Sequence, residues 1–126
     1  MEKNKLIDVK LDSLSKSKFR SSFHLNDKMI DYCRTKGYKK IVSDAYDIIN
    51  KRLKPAYISN DGSQTPMSQV HPVFIAQHAC GCCCRGCLNK WHKIPKDKEL
   101  NNYEVNYIVS LLMKWIEKEV SYNEKE

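Results

Sequence analysis

Five of the six cysteines in this chain fall within eight positions: Cys80, Cys82, Cys83, Cys84 and Cys87. His71 and His78 lie just before them and His92 just after. Thiolate sulfur and imidazole nitrogen are the ligands that soft and borderline metals prefer, so the pattern points to metal chemistry. Residues three or four apart share one face of a helix. Cys84 and Cys87 meet this condition as a C-x-x-C, and so do Cys83 and Cys87. Gly81, between Cys80 and Cys82, predicts a turn leading into that helix. A turn followed by a helix start presents thiolates well, because backbone N–H groups and the positive end of the macrodipole stabilise S⁻. Arg85 and Lys90 add to that field. His92 follows Cys87 by five residues and joins only if the helix unwinds ahead of Pro95.

A structural zinc site needs four ligands in a tetrahedron. The set favoured by spacing is Cys83 or Cys84, Cys87, His92 and one of His71 or His78. No second C-x-x-C stands at finger or ribbon spacing. The thiols suffice for an iron–sulfur cluster, but their spacing matches no ferredoxin pattern, and a mixed Cys/His set suits zinc better. The competing reading is packing, since free cysteine is often a small buried hydrophobe. Cys33, alone near Met29 and Tyr32, reads that way. Trp91 and Trp115 read as core anchors.

The elements that must position these residues are mainly helical. Asn26 is a good N-cap and Gly37 a good C′ residue, which predicts a first helix between them. A second covers about Ile41 to Leu53, with Ile41, Ala45, Ile48 and Ile49 on one face. A third runs from Cys84 to about Trp91. The last starts at Asn101 with Glu104 as a capping box, and Val105, Ile108, Val109, Leu112 and Ile116 form its apolar stripe. His71 to Ala76 reads as a short buried strand or a helix entry, and alternation over Leu6–Leu11 as one short strand. The expected architecture is a mainly α single domain of about four helices with an irregular Cys/His-rich centre. Residues 1–18 form a flexible arm, 19–120 the globular domain and 121–126 a frayed tail.

The 126 residues match one domain of ordinary size. Charged residues make up 29% and the net charge is +7, which favours solubility and admits nucleic acid as a partner. Lys36, Lys39, Lys40, Lys51, Arg52 and Lys54 on one side, and Arg85, Lys90, Lys93, Lys96 and Lys98 on another, are the basic residues concerned. From Pro55 to Cys83 there is no Lys or Arg and Asp61 is the only acid, which predicts a packed stretch. No segment has the apolar length of a signal peptide core or a membrane helix, so the expected setting is the cytoplasm, where thiols stay reduced, with no membrane partner.

Three runs carry a resemblance: His71 to Ala79, Cys83-Cys84-Arg85-Gly86-Cys87-Leu88, and Lys90-Trp91-His92. Asn60-Asp61-Gly62 with Gln64-Thr65-Pro66-Met67 adds to them, as do Arg52-Leu53, Pro55-Ala56 and Trp115-Ile116. In these the chain resembles an uncharacterised family of small bacterial proteins, domain of unknown function 4186, from roughly Phe19 to Glu117. Small or hydroxyl residues are usual in that family where Cys80 and Cys82 stand here. The resemblance therefore implies weight on Cys83, Cys84, Cys87, His78 and His92, and brings no activity.

Three functions compete. The first is a zinc domain whose metal holds the Pro55–Pro95 region together. The second is a small metal- or thiol-dependent enzyme with a pocket lined by Asp61, Gln64, His71, Gln77 and His78. Against it, H-E-x-x-H, P-loop and G-x-S-x-G motifs are absent, and no H-x-E precedes the cysteines as in deaminases. The third is a basic nucleic-acid-binding module.

Overall fold

A computed structural model describes residues 3–124. It contains α1 (Lys3–Ser15), a 3-10 turn (Arg20–Ser22), α2 (Asp27–Lys36), α3 (Tyr38–Arg52), α4 (Pro72–Ala79), α5 (Arg85–His92) and α6 (Asn102–Glu124). The described residues thus hold six α-helices and no strand, against the expected four helices and one β element.

The α1 segment shows why periodicity over a short run misleads. In a strand Ile7, Val9 and Leu11 would share a face. Val9 is instead 57% exposed, while Ile7, Leu11 and Leu14 are buried at helical spacing. Each such burial stabilises by roughly 1.5–3 kcal/mol, enough to dock α1 on α6. Within the stretch expected to be a loose arm, Lys3–Ser15 is therefore a packed helix. At the other end α6 continues past Ser121, where fraying was expected; residues 125–126 lie outside the described residues.

The caps read from sequence form. The Asn26 side chain accepts the Met29 N–H at 2.9 Å, and Gly37 ends α2 at φ 86°. Asn101 and Glu104 exchange hydrogen bonds at 2.9 and 2.8 Å. Packing then gathers round α6, which touches α1, α2, α3 and α4. Its predicted stripe is wholly buried, and Leu111, Tyr107 and Met113 are buried with it. A helix apolar over most of its circumference belongs at the centre of a bundle.

α4 is buried along its whole length. Pro72 occupies its first turn, where a missing N–H costs nothing. The uncharged stretch is packed continuously only from here onward, with Thr65 buried alone ahead of it. Ahead of it Tyr57, Met67 and Val70 are 80%, 58% and 61% exposed, so lack of charge did not mean burial. That loop is held by turn bonds such as Ser63 N–H to Asn60 O at 3.0 Å and by bonds from Arg52 to Gln64 O and from Thr65 to Cys83 O. After α4 the chain turns at Gly81, with φ +67°. A Cβ there would lie 2.8 Å from the Trp91 ring, so both the backbone angle and the close approach require glycine.

Candidate metal centre

The α5 N-terminus is the scaffold of the site. Cys84 is its N-cap in extended conformation, and its Sγ accepts the Cys87 N–H at 3.3 Å. The Arg85 and Gly86 N–H groups donate to the two oxygens of Asp61 at 2.9 and 3.0 Å. The three leading N–H groups of α5 are thereby satisfied by one thiol and one carboxylate from a distant loop. Burial works against the Asp61 charge, but bonds from Gln64 and from the Arg85 and Gly86 N–H groups outweigh it and hold the carboxyl below its usual range.

Arg85 fastens the surroundings. Only 4% exposed, its guanidinium donates to the carbonyls of Pro55 at 2.6 Å, Pro95 at 2.9 Å and Lys98 at 2.6 Å, with Leu53 O at 3.4 Å. It ties the end of α3 to the chain after α5. This fork spans the Pro55–Pro95 region. Arg85 is consequently withdrawn from the basic surface on which the sequence placed it. Of the other basic residues, Lys40 pairs with Asp44 at 2.9 Å and Arg52 lies 4.9 Å from the Phe74 ring centre.

Cys83, Cys84 and Cys87 converge. Their sulfurs all lie within 4.8 Å of one another. Cys84 and Cys87 are 3.2 Å apart and Cys83 and Cys87 3.5 Å. Cys83 is buried, its carbonyl accepting the Thr65 hydroxyl at 2.8 Å, whereas Cys84 and Cys87 are half-buried. The Arg20 guanidinium closes one side, with Nη2 3.2 Å from the Cys87 sulfur and Nη1 3.5 Å from that of Cys83. Nη1 also donates to His78 O at 2.8 Å. Thiol hydrogen bonds from Cys83 and then Cys84, together with Arg20, hold the Cys87 thiol far below its ordinary pKa. Cys84, as a donor to its neighbours, is pushed up. These contacts favour the ionised form at Cys87 and the protonated form at Cys84.

The imidazoles are engaged elsewhere. His71 Nδ1 accepts the Val73 N–H at 3.0 Å, capping α4, so its other nitrogen donates to Asp44 at 3.0 Å. His78 Nε2 donates to Thr65 O at 3.0 Å while the ring stacks on Phe23, centres 5.3 Å apart. His92 Nε2 donates to Cys80 O at 2.8 Å, which leaves Nδ1 to accept from the Tyr107 hydroxyl at 2.8 Å. Burial pushes His92 down to about 4, so the ring is neutral. The Cys82 sulfur lies 3.6 Å from His92 Nε2. Burial raises both the Cys80 and Cys82 thiols, and it raises Cys33 to about 11; these three are core sulfurs.

Of the polar residues proposed to line a pocket, Asp61 and Gln64 pair in the exposed loop at 2.9 Å. Gln77 is fully buried, its amide donating to Cys82 O at 3.0 Å. A cleft of about 490 Å³ opens on another side, lined by Asp8, Asp12, Phe23, His24 and Glu119, with Arg20 at its wall.

Sequence reading missed Arg20 and misplaced Arg85, whose guanidinium turns to backbone carbonyls instead of adding to the field on the thiolates. Arg20 contacts residues 58 to 67 positions away, and no local pattern marks it. Arg85 did carry a signal. A cation in the first turn of a helix opposes the macrodipole, so its presence there indicates a partner elsewhere.

No solved structure matches this fold. No helix of the described residues is long and apolar enough to cross a membrane. The model of the family described as a domain of unknown function, DUF4186, matches residues 8–117, which includes every thiol, arginine and histidine of the centre described above. The chain belongs to this family.

Proposed function

We propose that Cys83, Cys84 and Cys87 bind one divalent thiophilic ion, zinc, and that this ion keeps an open coordination position. The observation that carries the reading is the convergence of three sulfurs against one guanidinium. Three thiolates and Arg20 sum to a charge of −2, which a single divalent ion neutralises. Zinc–sulfur bonds of about 2.3 Å in a tetrahedron place sulfurs about 3.8 Å apart, so the observed 3.2 and 3.5 Å need only slight opening. A multi-iron cluster binds its thiolates through different irons and spreads them far more widely.

His71, His78 and His92 stay outside this ligand set, because each ring is committed to another bond. The fourth position falls to water or to a small-molecule donor, as in zinc sites that do chemistry. The hydrophobic core is continuous without the ion, running from Ile7 through Ile116. Cys83, Cys84 and Cys87 lie outside that core cluster, which favours a reactive or sensing role for the ion. Element-resolved metal analysis of protein purified under reducing conditions tests this. Close to one zinc per chain, falling away in Cys87→Ser, agrees; less than about 0.2 equivalents under metal-replete conditions counts against it.

A further inference from the structure

Cys84 and Cys87 have a second capability that does not depend on metal. Their sulfurs are 3.2 Å apart at the start of one helix, in C-x-x-C spacing. Both are half-buried and so open to a reactant, whereas Cys83 is 7% exposed and Cys80 and Cys82 are fully enclosed. The Cys84 N-cap position already points its sulfur across the first turn at residue 87. Closing the pair requires the two sulfurs to approach from 3.2 Å to a bond length of about 2.05 Å. Gly86, between them, has no side chain to obstruct that face.

We propose that Cys84 and Cys87 form a reversible disulfide by exchange with small disulfides of the glutathione class. The Cys87 thiolate attacks one sulfur of the incoming disulfide and expels one small thiolate. Cys84 then loses its proton to solvent and attacks the Cys87 sulfur, expelling the second. The chain gives up two electrons and the one proton of Cys84; the small disulfide leaves as two thiolates, which take up that proton and a second from water. Cys83 is the internal competitor, 3.5 Å from Cys87. It is disfavoured because its carbonyl is pinned by Thr65 and its sulfur is held by Arg20.

The test uses the full metal-free chain, reduced and then equilibrated with glutathione and glutathione disulfide at graded ratios. Free thiols are trapped by alkylation. Trypsin cuts after Arg85, so a bond from either Cys83 or Cys84 to Cys87 links two peptides, and fragmentation of that pair identifies the partner. The expected product is the Cys84–Cys87 disulfide in the wild-type chain. Cys83→Ser should still form the Cys84–Cys87 disulfide, and Cys84→Ser should need at least ~10-fold more oxidant. Wild-type protein that stays reduced, that stops at mixed disulfides, or that links Cys83 instead would overturn the proposal. Because mapping of the wild-type chain suffices, a variant that fails to fold does not rescue it. Zinc stoichiometry is measured separately on the reduced sample, so a chain that forms the disulfide but binds no metal defeats the metal reading alone.

Discussion

Arg85→Met removes the fork that joins four backbone carbonyls while keeping most of the side-chain volume. The bonds to Pro55, Pro95 and Lys98 are short, at 2.6 to 2.9 Å, and that to Leu53 is long at 3.4 Å. Pro95 and Lys98 lie at the surface, where water replaces the lost donor. Leu53 is fully buried, and its carbonyl finds no substitute. Each hydrogen bond to a charged group contributes about 1.5–3 kcal/mol, and rehydration of the outer carbonyls and relief of the buried charge offset part of the sum. The expected net loss is about 3 kcal/mol, a large share of the ~5–15 kcal/mol that holds a domain of this size. In thermal terms that is a fall in Tm on the order of 10 °C. Arg85→Lys, with a point charge and a shorter reach, should recover less than half of it. Urea unfolding of metal-free protein, fitted for midpoint and slope, reads the difference. A loss under about 1 kcal/mol for Arg85→Met would refute the view that this fork secures the Pro55–Pro95 region.

Acid should weaken the metal-free fold through His92. The folded ring titrates at about 4 against an ordinary 6.5, so the unfolded chain binds protons more readily between those values and stability drops as pH falls through that window. The full effect approaches about 3 kcal/mol, and His92→Gln should flatten the pH dependence of the urea midpoint; an unflattened profile contradicts the assignment. Arg20→Gln removes the cation that, after the thiol hydrogen bonds, keeps Cys87 ionised, so the pH midpoint of Cys87 alkylation should move upward, and an unmoved midpoint would separate Arg20 from the thiols. Metal loading should release about two protons per ion near neutral pH, because two of the three thiols are protonated beforehand. Calorimetry in buffers of differing ionisation enthalpy counts them, and a count near zero would mean that the thiols are not the ligands.

What the sequence made legible was local. Asn26, Gly37, Asn101 and Glu104 act within one turn of their own backbone, and the α6 stripe repeats for long enough to fix its period. α1 was ambiguous because six residues satisfy both a period of 2 and one of 3.6, and only the exposure of Val9 decides between them. Spacing made the pairing of Cys83 or Cys84 with Cys87 visible, but not the meeting of all three sulfurs, because Cys83 lies ahead of α5. The histidines were not separable in the same way. A nitrogen that caps a helix, as in His71, uses the lone pair that a ligand would use, and spacing does not distinguish the two roles. Arg20 reaches the thiols from the far side of the fold, so its role exists only once tertiary packing has formed.

Cobalt(II) titration of the reduced chain tests the central claim most directly, since a thiolate-bound ion absorbs through sulfur-to-metal charge transfer. One equivalent should saturate that band. Cys83→Ser, Cys84→Ser and Cys87→Ser should each weaken it, while His71→Gln, His78→Gln and His92→Gln should leave it in place. A band that survives loss of these sulfurs, or that vanishes with any one of the imidazoles in a folded chain, would contradict a three-thiolate centre.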